Sequence, residues 1–364
     1  MNAGRARDEL LVINSSNKLW GAEFSLLIFL NSLRREDFAL IVRNDGEGLS
    51  EELGHRKYEF SKFDMELSPF KKEFYHCAYI LFRNFVRFKL RPIYANNEDL
   101  SSLIAVTKVL GFFRQKTFVH IRTTPAEYDF YKKLMFLHDG IICNSEFTKR
   151  TLLNSVPALL GRKVHVVSNS HGQAEVSDVQ PRVDDNYFVT LGRVSAAKGQ
   201  FEVVKALSNA GVQVDADYLI VGASPEADTH IEELVNFIVD SDLKERVKLI
   251  PFTKDLAGVY ANAIATVVAS ERETFGRVVI ESGFYGTPVI VRNIDSLTEL
   301  VTDGVTGLVW DGSESHLIAL MSQLCADKRY RDYLGNNLRA FVLEQFSDEQ
   351  YCRQLKSIIW GSST

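Results

Sequence analysis

A chain of 364 residues exceeds the usual size of one hydrophobic core, so two domains are expected. Its 46% hydrophobic and 24% charged residues read as an ordinary soluble globular protein. The net charge of −5 excludes a global attraction to nucleic acid and leaves only a local basic patch open.

In chain order, short apolar runs bounded by polar turns alternate with longer amphipathic stretches, the signature of repeated βα units and parallel sheets. In the first half, strands are expected at Leu10 to Asn14, Phe38 to Val42, Pro92 to Ala95, Thr117 to Ile121, Gly140 to Cys143 and Val164 to Val167. The longest apolar run, Leu19 to Leu33, carries Glu23, Ser25, Asn31 and Ser32. It falls short of the roughly 20 apolar residues that a membrane span needs. The polar stretch HGQAEVSDVQPRVDDN, His171 to Asn186, reads as a linker. Strands resume at Tyr187 to Leu191, Tyr218 to Val221, Val247 to Ile250, Ala265 to Val268 and Pro288 to Val291. The expected fold class is therefore α/β, with doubly wound domains over residues 1–170 and 187–345 and a linker over 171–186. Ligands of such sheets sit beyond the carboxyl ends of the strands, so a cleft between two facing domains is the expected site. Cys77, Cys143, Cys325 and Cys352 show no C-x-x-C spacing, and no cleavable signal precedes the first strand. A reduced, cytoplasmic protein is expected.

Chemistry concentrates in two turns of the second half. In SERETFGRVVIESGFYGTPVIV, Ser270 to Val291, a loop follows a buried strand and a helix starts near Gly276. The first turn of that helix offers unpaired N–H groups and a positive dipole end to an anion, and Gly276 permits close backbone approach. Glu273 repels phosphate but suits sugar hydroxyls, whose protons it can accept. Glu281 lies roughly 7 Å further along the helix axis. A sugar, a diphosphate and a ribose fit that spacing; two solvated glutamates on a surface helix are the bland alternative. In LGRVSAAKGQ, Leu191 to Gln200, Arg193 and Lys198 flank a short loop at a strand's carboxyl end, which makes an anion clamp.

With YLIVGAS and ELVTDGVTGLV added, these stretches occur in the order and at the intervals of a known family. The second half resembles the retaining GT-B glycosyltransferases of family four, the glycosyl transferases group 1, which take sugars from nucleotide diphosphate donors. The resemblance implies a GT-B fold, two Rossmann-like domains facing across a cleft, with the final segment, 346–364, returning as a helix to the first. It implies that Arg193 and Lys198 hold the diphosphate, that Glu273 contacts the transferred sugar and that Glu281 binds ribose hydroxyls. It further implies that backbone at Thr274, Phe275 and Gly276 helps to bind the donor.

The first half resembles the family more loosely. NSSNKLWGAEFSLLIFL matches the glycine-rich loop and first helix, with Gly21 contacting the donor and Trp20 standing where a further glycine is usual; its indole is assigned to the acceptor pocket. FVHIRTTP places His120 at the position of the family's histidine facing the donor sugar. For Asn144 and Ser145, in IICNSEFTKRTLL, acceptor contact and helix capping both stand open.

Other patterns weigh less. Asp215 and Asp217 form a D-x-D match that precedes a strand, on the wrong edge of the sheet for metal-held phosphates, and TDGVTG at Thr302 to Gly307 reads as a hairpin turn. No zinc spacing, Walker motif or G-x-S-x-G occurs, and a nicotinamide oxidoreductase lacks its G-x-G-x-x-G. A glycosidase would need two acids but no diphosphate clamp. From Lys71 to Arg91, six Lys/Arg face one Glu, and the phenylalanines gather on one side of a helical wheel. Such a helix either lies on an anionic membrane surface or packs on the sheet. The expected function is a retaining, metal-independent glycosyltransferase without a cofactor, acting on a glycan or lipid-linked acceptor in cell-surface polysaccharide or glycolipid synthesis. Its alternative is a non-catalytic nucleotide-sugar sensor. His120, Glu273, Arg193 and Lys198 are the expected catalytic set.

Overall fold

The protein was analysed as a computed structural model, which describes residues 10–17, 21–34, 37–43, 48–54, 60–63, 83, 91–98, 101, 104–105, 108, 115–123, 135–172, 186–222, 229–253 and 255–361. The chain divides into two compact units, Met1–Gly172 together with Asp348–Thr364, and Gln173–Ser347. Most of the expected linker and of the basic stretch from Lys71 to Arg91 lies outside the described residues, as does Trp20.

The first unit is built on a parallel sheet of β1 (Leu10–Asn14), β2 (Phe38–Arg43), β3 (Phe60–Phe63), β4 (Ile93–Ala95), β5 (Thr117–Ile121), β6 (Gly140–Cys143) and β7 (Val164–Val166). Their spatial order is β3-β2-β1-β4-β5-β6-β7. Successive side chains of a strand point to opposite faces, and here each face has its own core. Leu11, Ile13, Ile93, Ala95, Val119 and Ile121 pack on one side. Leu10, Val12, Tyr94 and Phe118 pack on the other, with Leu26, Phe29 and Leu30 of α1 (Gly21–Asn31). That second core also holds Tyr351, Cys352, Leu355 and Ile359 of the C-terminal helix, Asp348–Trp360. The chain's two crossings between units meet at one point of the first unit, where the Gly172 N–H donates to Asp348 Oδ1 at 3.2 Å.

The second unit has a parallel sheet of β8 (Tyr187–Leu191), β9 (Asp217–Val221), β10 (Val247–Ile250), β11 (Ala263–Val268), β12 (Val289–Arg292) and β13 (Leu308–Trp310). The order is β10-β9-β8-β11-β12-β13. One face packs against α2 (Gln200–Ala210) through Val203, Val204 and Leu207. The other packs against α3 (Arg277–Phe284) through Val279 and Ile280, and against Leu338 and Val342 of α4 (Lys328–Gln345). From β8 the chain runs outward to β9 and β10 and then jumps to β11 on the other side of β8. The strand order therefore reverses between β8 and β11, where open α/β sheets hold their ligands.

Two strands go beyond the sequence expectation, β3 and β13. Among the described residues both are short edge strands, each paired with one neighbour. The hairpin expected at Thr302 to Gly307 is corrected. That turn closes on itself, with Thr306 N–H donating to Thr302 O at 3.0 Å, and leads into β13, which runs parallel to β12. Among the described residues β13 has no antiparallel partner and extends the sheet beyond β12. Among the described residues no helix is long and apolar enough to cross a membrane.

Candidate functional site

The loops that leave β8 and β11 meet at the reversal of strand order. After β8, Gly192 and Gly199 take positive φ, 134° and 67°, with the turn Ala196–Lys198 between them. A Cβ on Gly199 would stand 2.3 Å from Ala269 O, so the loop is pressed against the end of β11 by a contact that only glycine allows. Glu271 N–H donates to Ala197 O at 2.9 Å and ties the loops together. Buried Gln200 braces the first loop from within, donating to Arg193 O at 2.9 Å.

This packing brings together two of the residues singled out from sequence. Lys198 Nζ lies 2.6 Å from Glu273 Oε2, an ion pair whose side chains keep 35% and 20% of their exposure. Glu273 is held from behind, because its carbonyl accepts from Ser296 Oγ at 2.5 Å and its Oε1 from Thr274 N–H at 3.3 Å. An ammonium has three protons and a carboxylate about four lone-pair sites, so each partner keeps capacity for a ligand. Arg193, on the same loop, is exposed.

Gly276 caps α3 with φ 94°, but the reason for glycine there differs from the sequence expectation. A Cβ would stand 2.6 Å from Leu297 Cδ2 and 3.3 Å from Leu300 Cδ1, so the space is taken by core side chains and not left for a ligand. Phe275 is likewise a core residue, edge to face with Phe346 at 6.0 Å. Any donor contact here belongs to backbone N–H groups at the helix start. Glu281, one turn into α3, accepts from Arg277 Nε at 2.6 Å and from Tyr260 Oη at 3.3 Å. Burial, and then the Glu281 charge, push the Tyr260 hydroxyl well above its usual pKa, so it remains a donor to that carboxylate. Arg277 is four residues from Glu281 on one helix face, a spacing legible in sequence that the motif reading passed over. Tyr260 and Ser296 lie too far along the chain for any local signal.

Asp217 begins β9 at its amino end and pairs with Lys248 at 3.6 Å. Among the described residues no cluster of His, Cys, Asp and Glu could hold a metal.

In the first unit, polar side chains gather at the carboxyl ends of β1, β4 and β5. Asn96 Nδ2 donates to Asn14 Oδ1 at 2.9 Å, and Asn14 Nδ2 donates to buried Glu23 at 3.2 Å. His120 is wholly buried, with Nδ1 2.8 Å from the Tyr94 hydroxyl. The Arg122 guanidinium reaches Asn96 Oδ1 at 2.9 Å, Asn169 Oδ1 at 2.7 Å and Tyr351 Oη at 3.2 Å. Gly21 is exposed at the start of α1. For Ser145 the structure shows capping, and Asn144 bonds to a side chain of the capped turn. Ser145 Oγ accepts from Thr148 N–H at 3.0 Å, and Asn144 Oδ1 accepts from Thr148 Oγ1 at 2.8 Å, at the start of helix Glu146–Ser155. The Asn144 side chain is buried.

Residues 173–341 match the family model described as glycosyl transferases group 1. The Gln173–Ser347 unit is a glycosyl transferases group 1 domain. Curated relatives of this chain include N-acetyl-alpha-D-glucosaminyl L-malate synthase of Bacillus anthracis. It is 28% identical over 160 residues, a match covering 44% of this chain and 41% of that protein. The capsular polysaccharide biosynthesis glycosyltransferase CapM of Staphylococcus aureus is 28% identical over 181 residues, covering 48% and 46%. The chain thus spans less than half the length of these relatives. Among solved structures, Anabaena Alr3699/HepE in complex with UDP matches with a TM-score of 0.80 at 20% identity, over 95% of this chain and 98% of that one. A glycosyltransferase of Rickettsia africae matches with a TM-score of 0.81 at 16% identity, over 98% and 100%. The fold of the whole chain is GT-B.

Proposed function

We propose that the protein is a retaining glycosyltransferase that moves a sugar from a nucleotide diphosphate sugar to a hydroxyl of a glycan or lipid-linked acceptor. The observation that carries this reading is the Lys198–Glu273 pair, set where the strand order reverses and next to the start of α3. Lys198, Arg193 and the helix-start amides oppose the charge that develops on the departing diphosphate, and Glu273 accepts from hydroxyls of the sugar. Glu281, oriented by Arg277 and Tyr260, takes the ribose hydroxyls with its remaining lone pairs.

As the bond from the anomeric carbon to the diphosphate breaks, the acceptor hydroxyl attacks from the same face and passes its proton to the departing phosphate oxygen, which preserves the anomeric configuration. The cations perform the electrostatic work commonly given to a metal, so the reaction is read as metal-independent. HepE has been solved with UDP and with UDP-glucose, which supports a nucleotide sugar as donor. The name of CapM supports a role in surface polysaccharide synthesis. The sensor alternative is less favoured, since these relatives are named as a synthase and a transferase. The basic, phenylalanine-rich stretch from Lys71 to Arg91 supports a peripheral place on the inner face of the membrane, on sequence alone.

Calorimetric titration of UDP, GDP and ADP into the protein and into Lys198→Ala tests the reading. At least one nucleotide binds the parent protein, and Lys198→Ala weakens it by about tenfold or more, ~1.4 kcal/mol. Sugar transfer survives EDTA. Equal affinities in the two proteins would remove the diphosphate assignment, and inactivation by EDTA would remove the metal-independent one.

A further inference from the structure

Behind the rim of the second unit, one arginine reaches both of the segments that meet there. Arg292 is the last residue of β12, and period two puts its side chain on the face of Ile290, the face that packs against α2. Its Nη1 donates to Glu202 Oε2 at 2.8 Å, in the first turn of α2, and to Ala269 O, just beyond β11, at 3.5 Å. The same nitrogen is 4.0 Å from Glu271 Oε1. The guanidinium stands 5.2 Å from the centre of the Trp310 ring, which is buried and fixed by its own Nε1 donating to Ser313 O at 2.6 Å.

These contacts fall on the two sides of one junction. Glu202 follows Lys198 by four residues, so the turn it belongs to carries the Lys198 loop, while Ala269 and Glu271 belong to the loop that carries Glu273. The Ala269 carbonyl is also the group against which Gly199 is pressed, and the Glu271 N–H donates to Ala197 O. A guanidinium is planar, always charged and donates in fixed directions, which suits it to hold two segments at one spacing. With Glu202 and Glu271 beside it, its charge is neutralised within the protein, so Arg292 does not form an anion site of its own.

We propose that Arg292 is a positioning residue that sets the spacing of Lys198 and Glu273 by holding the start of α2 and the loop after β11 together. Its effect on nucleotide binding rests on the transferase reading; its hold on the two segments does not. Charge and position give opposite signs at Glu202. An arginine that acted only by neutralising acids near an anion site would be replaced in effect by removing the Glu202 charge, and the nucleotide would bind more tightly. An arginine that acts by position loses its grip on α2 when Glu202 is changed, and the nucleotide binds more weakly.

The test compares the full chain with Arg292→Gln, Glu202→Gln, Lys198→Ala and the double variant Arg292→Gln with Lys198→Ala. Amide hydrogen exchange at Glu271, whose N–H spans the junction, is faster by about tenfold or more in Arg292→Gln, while the amides of β8 and β11 keep their parent rates. In calorimetric titrations of UDP, GDP and ADP, whichever binds the parent is weakened about fivefold or more by Arg292→Gln and about threefold by Glu202→Gln. On the Lys198→Ala background, Arg292→Gln changes affinity by less than about twofold, because its effect passes through Lys198.

Parent-like exchange at Glu271 in Arg292→Gln overturns the proposal. Tighter nucleotide binding in Glu202→Gln, or fully additive losses in the double variant, would overturn positioning in favour of charge neutralisation. If Arg292→Gln does not fold, Glu202→Gln, at a side chain 38% exposed, carries both the exchange and the binding measurement. Parent-like nucleotide affinity in Lys198→Ala would remove the transferase reading, and exchange at Glu271 would then decide the role of Arg292 by itself.

Discussion

At the scale of single residues, Glu273 shows how two assignments merge once geometry is known. Sequence reasoning gave Lys198 to the diphosphate and Glu273 to the sugar, and the structure joins them at 2.6 Å. A pair this exposed contributes little to stability, so its value is as a preset arrangement of a cation and a hydroxyl acceptor. Changing Glu273 to Gln keeps one carbonyl oxygen but halves the acceptor capacity and removes the charge. Sugar transfer should fall by about tenfold or more while affinity for the free nucleotide diphosphate stays within about threefold. Steady-state kinetics beside calorimetry would read both, and equal losses would move Glu273 to the nucleotide. The residue types of this site were legible because carboxylates and cations beside a glycine at a strand end have few structural uses. The roles of Gly276 and Phe275 were not, since Leu297 and Phe346, which press on them, come from distant segments.

At the scale of elements, the strand pattern was legible wherever a run was central and buried on both faces. In β1 all five residues are buried, and such a run stands out against polar turns. The edge strands β3 and β13, of four and three residues, were not singled out, although the edge strand β7, of three residues, was; each exists because a neighbour offers its open side. The loop between β8 and α2 makes the opposite point, being irregular in sequence and tightly specified in space. Gly199→Ala puts a methyl against Ala269 O and asks alanine to adopt φ 67°. The expected cost is about 1–3 kcal/mol, visible as a lower midpoint in chemical denaturation. An unchanged midpoint would mean that the two loops are not in contact. Weaker nucleotide binding should accompany the loss, because the same glycine positions Lys198.

At the scale of the whole molecule, the last helix of the chain belongs to the first unit. Tyr351, Cys352, Leu355 and Ile359 are buried against α1 and the sheet, and each contributes about 1.5–3 kcal/mol by its burial. Their sum approaches the full stability of an ordinary domain. A chain ending at Ser347 should therefore lose the cooperative melting of the first unit and keep that of the second, in a calorimetric scan. Two unchanged transitions would show that the helix is dispensable. That scan also separates the units physically, since each has its own sheet and its own cores.

The sequence by itself determined the α/β class, the central strands and the chemical character of the rim at Lys198 and Glu273. These depend on local periodicity and on residue types whose physical uses are few. Period two even places His120 and Arg122 on one face of their strand segment. Only the tertiary structure decided that Tyr94, Asn96 and Tyr351 meet them there, because hydrogen bonds spanning 26 to 229 residues leave no trace in local pattern.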